Sequence, residues 1–240
     1  MPRKSFVSLL IALAAFFLVP TGAAPQGPPR SEVDIDHFID ELQQSVRGKD
    51  YTGVVWWIPV EFWEASLRQE GTPEAAIQQQ LAPLRNYTMC AVAVGKIGPY
   101  GGIDFVPTHE VRANVLLRDA QGVDYRPVDQ VHPDAMILAS VIRPVLSSAI
   151  GRLGESIEFL FFPAHNPRGQ ALADPTQRGS FAIVLRNIAG PGDSVYEWKL
   201  PLTSLLPPVY CPQGGERMEA NWNYCPWHGV ELRAGETSAQ

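Results

Sequence analysis

The sequence predicts an α+β fold in which β-structure dominates: an antiparallel sandwich-like or barrel-like sheet with helices at its periphery. Three observations predict it. Short apolar runs recur, several with a period of two. Turn-forming Gly, Asn, Asp and Pro separate them, as at Asp119-Ala120-Gln121-Gly122 and Asn166-Pro167-Arg168-Gly169. No strand-helix-strand unit carries a phosphate-binding glycine pattern; Gly98-Pro99-Tyr100-Gly101-Gly102 lacks both the spacing and the following helix, and reads as a turn.

The first element is a helix over Ser31–Val46, with Ile35, Phe38, Ile39, Leu42 and Val46 on one stripe and Ser31 and Asp34 in a capping-box arrangement. His37 lies beside the stripe and reads as a surface or packing residue. Gly53–Val60 (GVVWWIPV) has no polar interruption and predicts a strand buried on both faces. Thr72-Pro73-Glu74 opens a further helix with a hydroxyl cap, Pro in the first turn and an acid at the positive end of the dipole, and Pro83 limits it. Tyr87–Val94 (YTMCAVAV) is again apolar on both faces, which makes Cys90 a small core residue.

Val111, Ala113, Val115 and Leu117 alternate into the Asp119–Gly122 turn, and Val123 and Tyr125 resume the alternation as a hairpin. A second hairpin is expected from Glu158–Pro163 through the Asn166–Gly169 turn to Ala171 and Leu172. Between them Asp134–Leu153 reads as a helix buried on several sides, with Leu138, Ile142, Val145, Ala149 and Leu153 on one face. Pro144 predicts a kink or break in it, and Arg143 argues against a membrane span. Ser180–Arg186 and Val195–Leu200 are strands joined by the Gly190-Pro191-Gly192-Asp193 loop. Six Trp, ten Phe and seven Tyr supply a real core despite 22 Pro.

The N-terminus carries Arg3 and Lys4, an apolar run from Phe6 to Val19 and a small-residue exit at Thr21–Ala24. That pattern predicts a signal peptide over 1–24, a flexible leader over 25–30 and a periplasmic or extracellular location. The apolar run is shorter than the roughly 20 residues of a spanning helix, so no membrane span is expected after cleavage. Loss of Arg3 and Lys4 takes the formal charge from −6 to −8, and with no basic stretch remaining nucleic acid is excluded as a partner. Residues 233–240 read as a solvated tail.

No GxSxG nucleophile turn is present, and His109-Glu110 lacks the second histidine of a zinc protease. Ser147 and Ser148 fall inside the predicted buried helix. The one carboxylate pair of interest is Glu61 and Glu64, three residues apart among Phe62 and Trp63. On a helix they would share a face, which suits either glycoside chemistry or a dipole-complementing acid cluster.

The stretch Tyr210–Gly229 holds Cys211-Pro212-Gln213-Gly214-Gly215 and Cys225-Pro226-Trp227-His228-Gly229. The pair resembles the two Cys-Pro-x-Cys-Gly knuckles of a zinc ribbon, with Gly214 and His228 standing where second thiolates belong. The resemblance implies a C-terminal ribbon hairpin over 209–232, appended to a β-rich domain over 31–208. It leaves three metal ligands, Cys211, Cys225 and His228, where structural zinc uses four. His165 or Glu216 could complete the set, or a water could.

An exported chain suggests instead a Cys211–Cys225 disulfide, closing a loop of about 15 residues and worth about 3 kcal/mol in the chain-entropy model. With either a metal or a disulfide, Trp222, Tyr224 and Trp227 would cover the ribbon's apolar side. The body from Tyr51 to Pro208 is similar to secreted bacterial proteins, on the run from Trp198-Lys199-Leu200-Pro201-Leu202 through Leu205-Leu206-Pro207-Pro208. That similarity implies export alone. The expectation is an exported, non-enzymatic binding or envelope-associated module without cofactor, its partner a protein or envelope component. The alternatives are a zinc-binding protein and, after it, a carbohydrate-active enzyme using Glu61 and Glu64.

Overall fold

A computed structural model of the chain describes residues 33–207, 209–220 and 222–232. The expected signal peptide, leader and tail, and the Ser31 cap, lie outside them. In chain order the first elements are α1 (Ile35–Leu42), β1 (Gln43–Gly48), β2 (Tyr51–Trp57), α2 (Val60–Gln69), α3 (Glu74–Leu81) and a 3-10 turn over Ala82–Asn86. Next come β3 (Tyr87–Ile97), β4 (Ile103–Phe105), α4 (Thr108–Asn114), β5 (Val115–Asp119), β6 (Asp124–Tyr125), α5 (Pro133–Ile150) and α6 (Arg152–Glu155). The last are β7 (Glu158–Pro163), β8 (Gly179–Arg186), β9 (Asp193–Leu200), a 3-10 turn over Thr203–Leu205, β10 (Val209–Tyr210) and β11 (Arg217–Met218).

All strand pairs are antiparallel, and the described strands close no barrel. β3 is the centre of a five-stranded sheet, with β2 on one edge and β7 and β4 in succession on the other. The second sheet runs β6-β5-β8-β9. Gly53 lets β2 and β3 approach, because a β-carbon there would strike the Ala93 carbonyl. The sheets share one core, in which Trp57 of β2 meets Phe181 of β8 edge-on at 4.7 Å and Phe181 stacks on Trp198 of β9 at 5.2 Å.

Local chemistry redraws several boundaries. The first helix ends at Leu42, not Val46, because Gln43–Gly48 satisfy their backbone groups against Tyr51–Trp56 across a hairpin. Asp34 caps it, accepting the His37 N–H at 3.1 Å. Thr72 does not cap α3: Pro73 occupies the capping position without a side-chain bond, and its carbonyl takes the Ala76 and Ile77 N–H groups at 2.9 and 3.1 Å. Val111–Asn114 belong to a helix that begins behind Pro107, with Val111 buried, so only Val115–Asp119 of the predicted strand is extended. The second predicted hairpin is reduced to a single His165–Ala171 bridge. α5 runs through Pro144 and stops at Gly151, whose φ of +59° ends the helix. It is less enclosed than expected, since Met136 and Ile137 are half exposed while Ala135 and Ala139 are buried.

Glu41 joins α1 to the chain leading to the C-terminus. Its carboxylate accepts the N–H groups of Thr203 and Ser204 at 2.8 and 2.9 Å and the Thr203 hydroxyl at 2.5 Å, while its backbone carbonyl accepts the Trp198 indole at 3.0 Å. Burial works to raise its pKa, but the bonds from Ser204 and Thr203 outweigh that and hold it below the ordinary value of 4.5. Glu41→Ala is expected to cost about 2 kcal/mol at neutral pH, since it strands two backbone donors. A carboxylate with a depressed folded pKa stabilises above its unfolded value and loses that contribution as pH falls through the folded one. The gap between wild type and variant in urea melts should therefore be constant above pH 4.5 and shrink on acidification; a pH-independent gap would remove the charge from this account.

Candidate metal centre

The two knuckles fold alike. In the first, the Cys211 N–H donates to the Glu216 carbonyl at 2.9 Å and the Gly215 N–H to the Cys211 carbonyl at 2.8 Å. In the second, Cys225 donates to Val230 at 2.9 Å and Gly229 to Cys225 at 2.8 Å. Both turns need a left-handed residue at the fifth position, which Gly215 (φ +75°) and Gly229 (φ +66°) provide. Short pairings flank them: Val209 with Met218 and Tyr210 with Arg217 before the first turn, Tyr224 with Glu231 around the second. Cys211 and Cys225 are buried with Val209, Met218 and Leu232 in a small cluster separate from the main core.

Three ligand atoms converge at this place. The Sγ atoms of Cys211 and Cys225 lie 3.3 and 3.4 Å from Nδ1 of the same ring, His228, and all three atoms fall within 4.8 Å of one another. Both cysteines are free thiols, so the expected disulfide is not formed here. Burial opposes ionisation of Cys211, yet the N–H groups of Gly214 and Gln213, with Cys225 and His228, lower its pKa to about 7. The Gly214 N–H lies 3.4 Å from this sulfur. Cys90 is buried too, but in the main core within β3, with no such donors beside it among the described residues; burial alone pushes its thiol far up, and it is the inert core residue its strand predicts.

The other predicted residues fall elsewhere. Glu61 and His165 line a cavity of about 140 Å³ with Trp57, Arg85, Tyr87 and Asp174, so His165 takes no part in the cysteine cluster. Burial pushes the Glu61 carboxyl above the ordinary carboxylate range, helped by the charges of Glu64 and Asp174. Glu64 is not its partner across a cleft. It turns to ion pairs with Arg68 at 3.1 Å, one helical turn further along α2, and with Arg85 from the 3-10 turn that follows α3. Asp174 is committed to Thr176 and Gln177. The cavity is thus lined by one acid of raised pKa, Glu61, and by Asp174, while Glu64 is not among its lining residues.

The ribbon aromatics also depart from expectation. Trp222, Tyr224 and Trp227 point outward, 41%, 63% and 68% exposed, while Val209, Met218 and Leu232 fill the ribbon's interior with Ala220 and Val230 packed against them. Trp222 and Trp227 line a cavity of about 340 Å³ with Asp34, His37, Thr203 and Arg217. Nothing in the spacing could have joined residues so distant in sequence. Among the described residues no helix is long and apolar enough to cross a membrane. Comparison with protein-family models, curated proteins and solved structures finds no match to this chain.

Proposed function

We propose that this chain is an exported, non-enzymatic module whose C-terminal ribbon is organised by one zinc ion held by Cys211 Sγ, Cys225 Sγ and His228 Nδ1. One observation carries the reading: both sulfurs lie 3.3–3.4 Å from a single imidazole nitrogen. Zinc at about 2.3 Å from sulfur and about 2.0 Å from nitrogen, with tetrahedral angles, separates neighbouring ligand atoms by about 3.5 Å. The donor set fits a borderline-soft cation, and the backbone donor beside Cys211 favours the thiolate that a metal needs. Bound there, zinc would tie the two knuckles together and neutralise thiolate charge. The export signal and the acidic surface expected after cleavage support a role outside the cytosol.

His228→Ala is the direct test, because it removes a ligand while keeping both thiols. Zinc affinity, measured by competition with a chromophoric chelator, should fall about 100-fold or more. Unchanged affinity and metal content in the variant would reject the site.

A further inference from the structure

We infer that Glu216 is the fourth zinc ligand, its carboxylate replacing the side chain that Gly214 does not have. The inference rests on the three-ligand reading above and completes it. The twin knuckles define where a fourth ligand belongs. In the second, the residue three after the cysteine is His228, which delivers Nδ1 to the cluster; in the first, the equivalent residue is Gly214, which delivers only a backbone N–H.

The space beside Gly214 is filled. A β-carbon built there would fall onto the Glu216 carboxylate, 2.5 Å from its carboxyl carbon, with both oxygens nearer still. An acid from two residues further on has therefore folded back into the position of a knuckle side chain. Its counterpart in the second knuckle, five residues after the cysteine, is Val230, so the acid occurs only in the knuckle that lacks a ligand. Glu216 uses its backbone carbonyl to close the turn on Cys211, which fixes its α-carbon beside the site and leaves the carboxylate for the metal. The carboxylate stands outside the tight three-atom group, so ligation needs a rotation of this exposed side chain. An oxygen ligand is compatible with zinc, and two thiolates, a neutral imidazole and a carboxylate around the divalent ion would give the site a net charge of −1, the same as a site of three thiolates and one imidazole.

Gly214 itself has no left-handed φ, in contrast to Gly215, and the nearest atoms a side chain at 214 would meet belong to the flexible Glu216. That permits a decisive cycle on the full chain: zinc affinity of wild type, Glu216→Ala, Gly214→Cys and the double variant. Cobalt(II) spectra of each count the thiolate ligands. Glu216→Ala should weaken zinc about 10- to 100-fold. Gly214→Cys should bind at least as tightly as wild type, raise the sulfur-to-cobalt charge-transfer intensity by about half as two thiolates become three, and make Glu216→Ala without effect. A single variant Glu216→Ala with wild-type affinity, or an equal loss in both backgrounds, overturns the ligand role while leaving the three-ligand site standing. A wild-type chain that binds no zinc overturns both.

Discussion

Stripping zinc with a chelator under reducing conditions will unfold the ribbon and leave the two-sheet body folded. The ribbon's interior is Val209, Cys211, Met218, Cys225 and Leu232, so two of its five buried side chains are themselves proposed ligands. A cluster of that size does not offset the conformational entropy of some twenty residues at roughly 1–2 kcal/mol each. Structural zinc contributes about 10–16 kcal/mol to peptides that fold around it, and a site of this kind ties metal occupancy to folding. Hydrogen exchange should show the amides of Cys211, Gly215, Cys225 and Gly229 losing protection in chelator, while those of β3 and β8 keep theirs. Persistent protection of the knuckle amides in the stripped, reduced protein would mean that the ribbon folds without metal.

The second large effect is in the body. Trp57→Ala should cost about 3–5 kcal/mol, close to the limit for a single core truncation. Trp57 is 1% exposed and packs its ring against Phe181 and Trp198, at 4.7 and 6.3 Å, so its loss opens a void between the two sheets where neither can collapse freely. For a chain of this size the melting temperature should fall by about 10 °C. Zinc affinity should not change, because the ribbon's buried cluster contains none of these rings. A loss below about 1 kcal/mol would show that the sheets do not depend on this junction.

The sheet strands were the legible part of the fold. Tyr87–Val94 and Phe181–Leu185 carry apolar residues on both faces, and burial on both faces is the environment that suits them. What stayed hidden were elements whose local pattern was ambiguous. Val46 continues the helical spacing of Ile35–Leu42, yet the edge of β2 offers Gln43–Gly48 a full ladder, and tertiary pairing wins. Val111–Asn114 alternate like a strand, but a segment this short, with two apolar residues, fits one helical turn behind Pro107 as well.

At the site, the spacing of Cys211, Cys225 and His228 was enough to single out the three side chains that the fold brings together, because the knuckle is a local turn encoded by Cys, Pro and Gly. The surroundings were not. His165 and Glu216 were equivalent as candidates in the sequence; only the fold sends the first to the Glu61 cavity and lays the second over Gly214. Trp222 and Trp227 read as ribbon cover because large aromatics usually seek burial, and they turned outward because smaller side chains already fill so shallow an interior.

The central claim is that these two thiols meet at a metal and not at each other. Zinc content and reactive thiols should be counted together on the natively purified protein, the thiols after denaturation with chelator and without reductant. One zinc per chain and three reactive thiols, from Cys90, Cys211 and Cys225, is the predicted result. A metal-free protein with a single reactive thiol would contradict it and assign the ribbon to a Cys211–Cys225 disulfide.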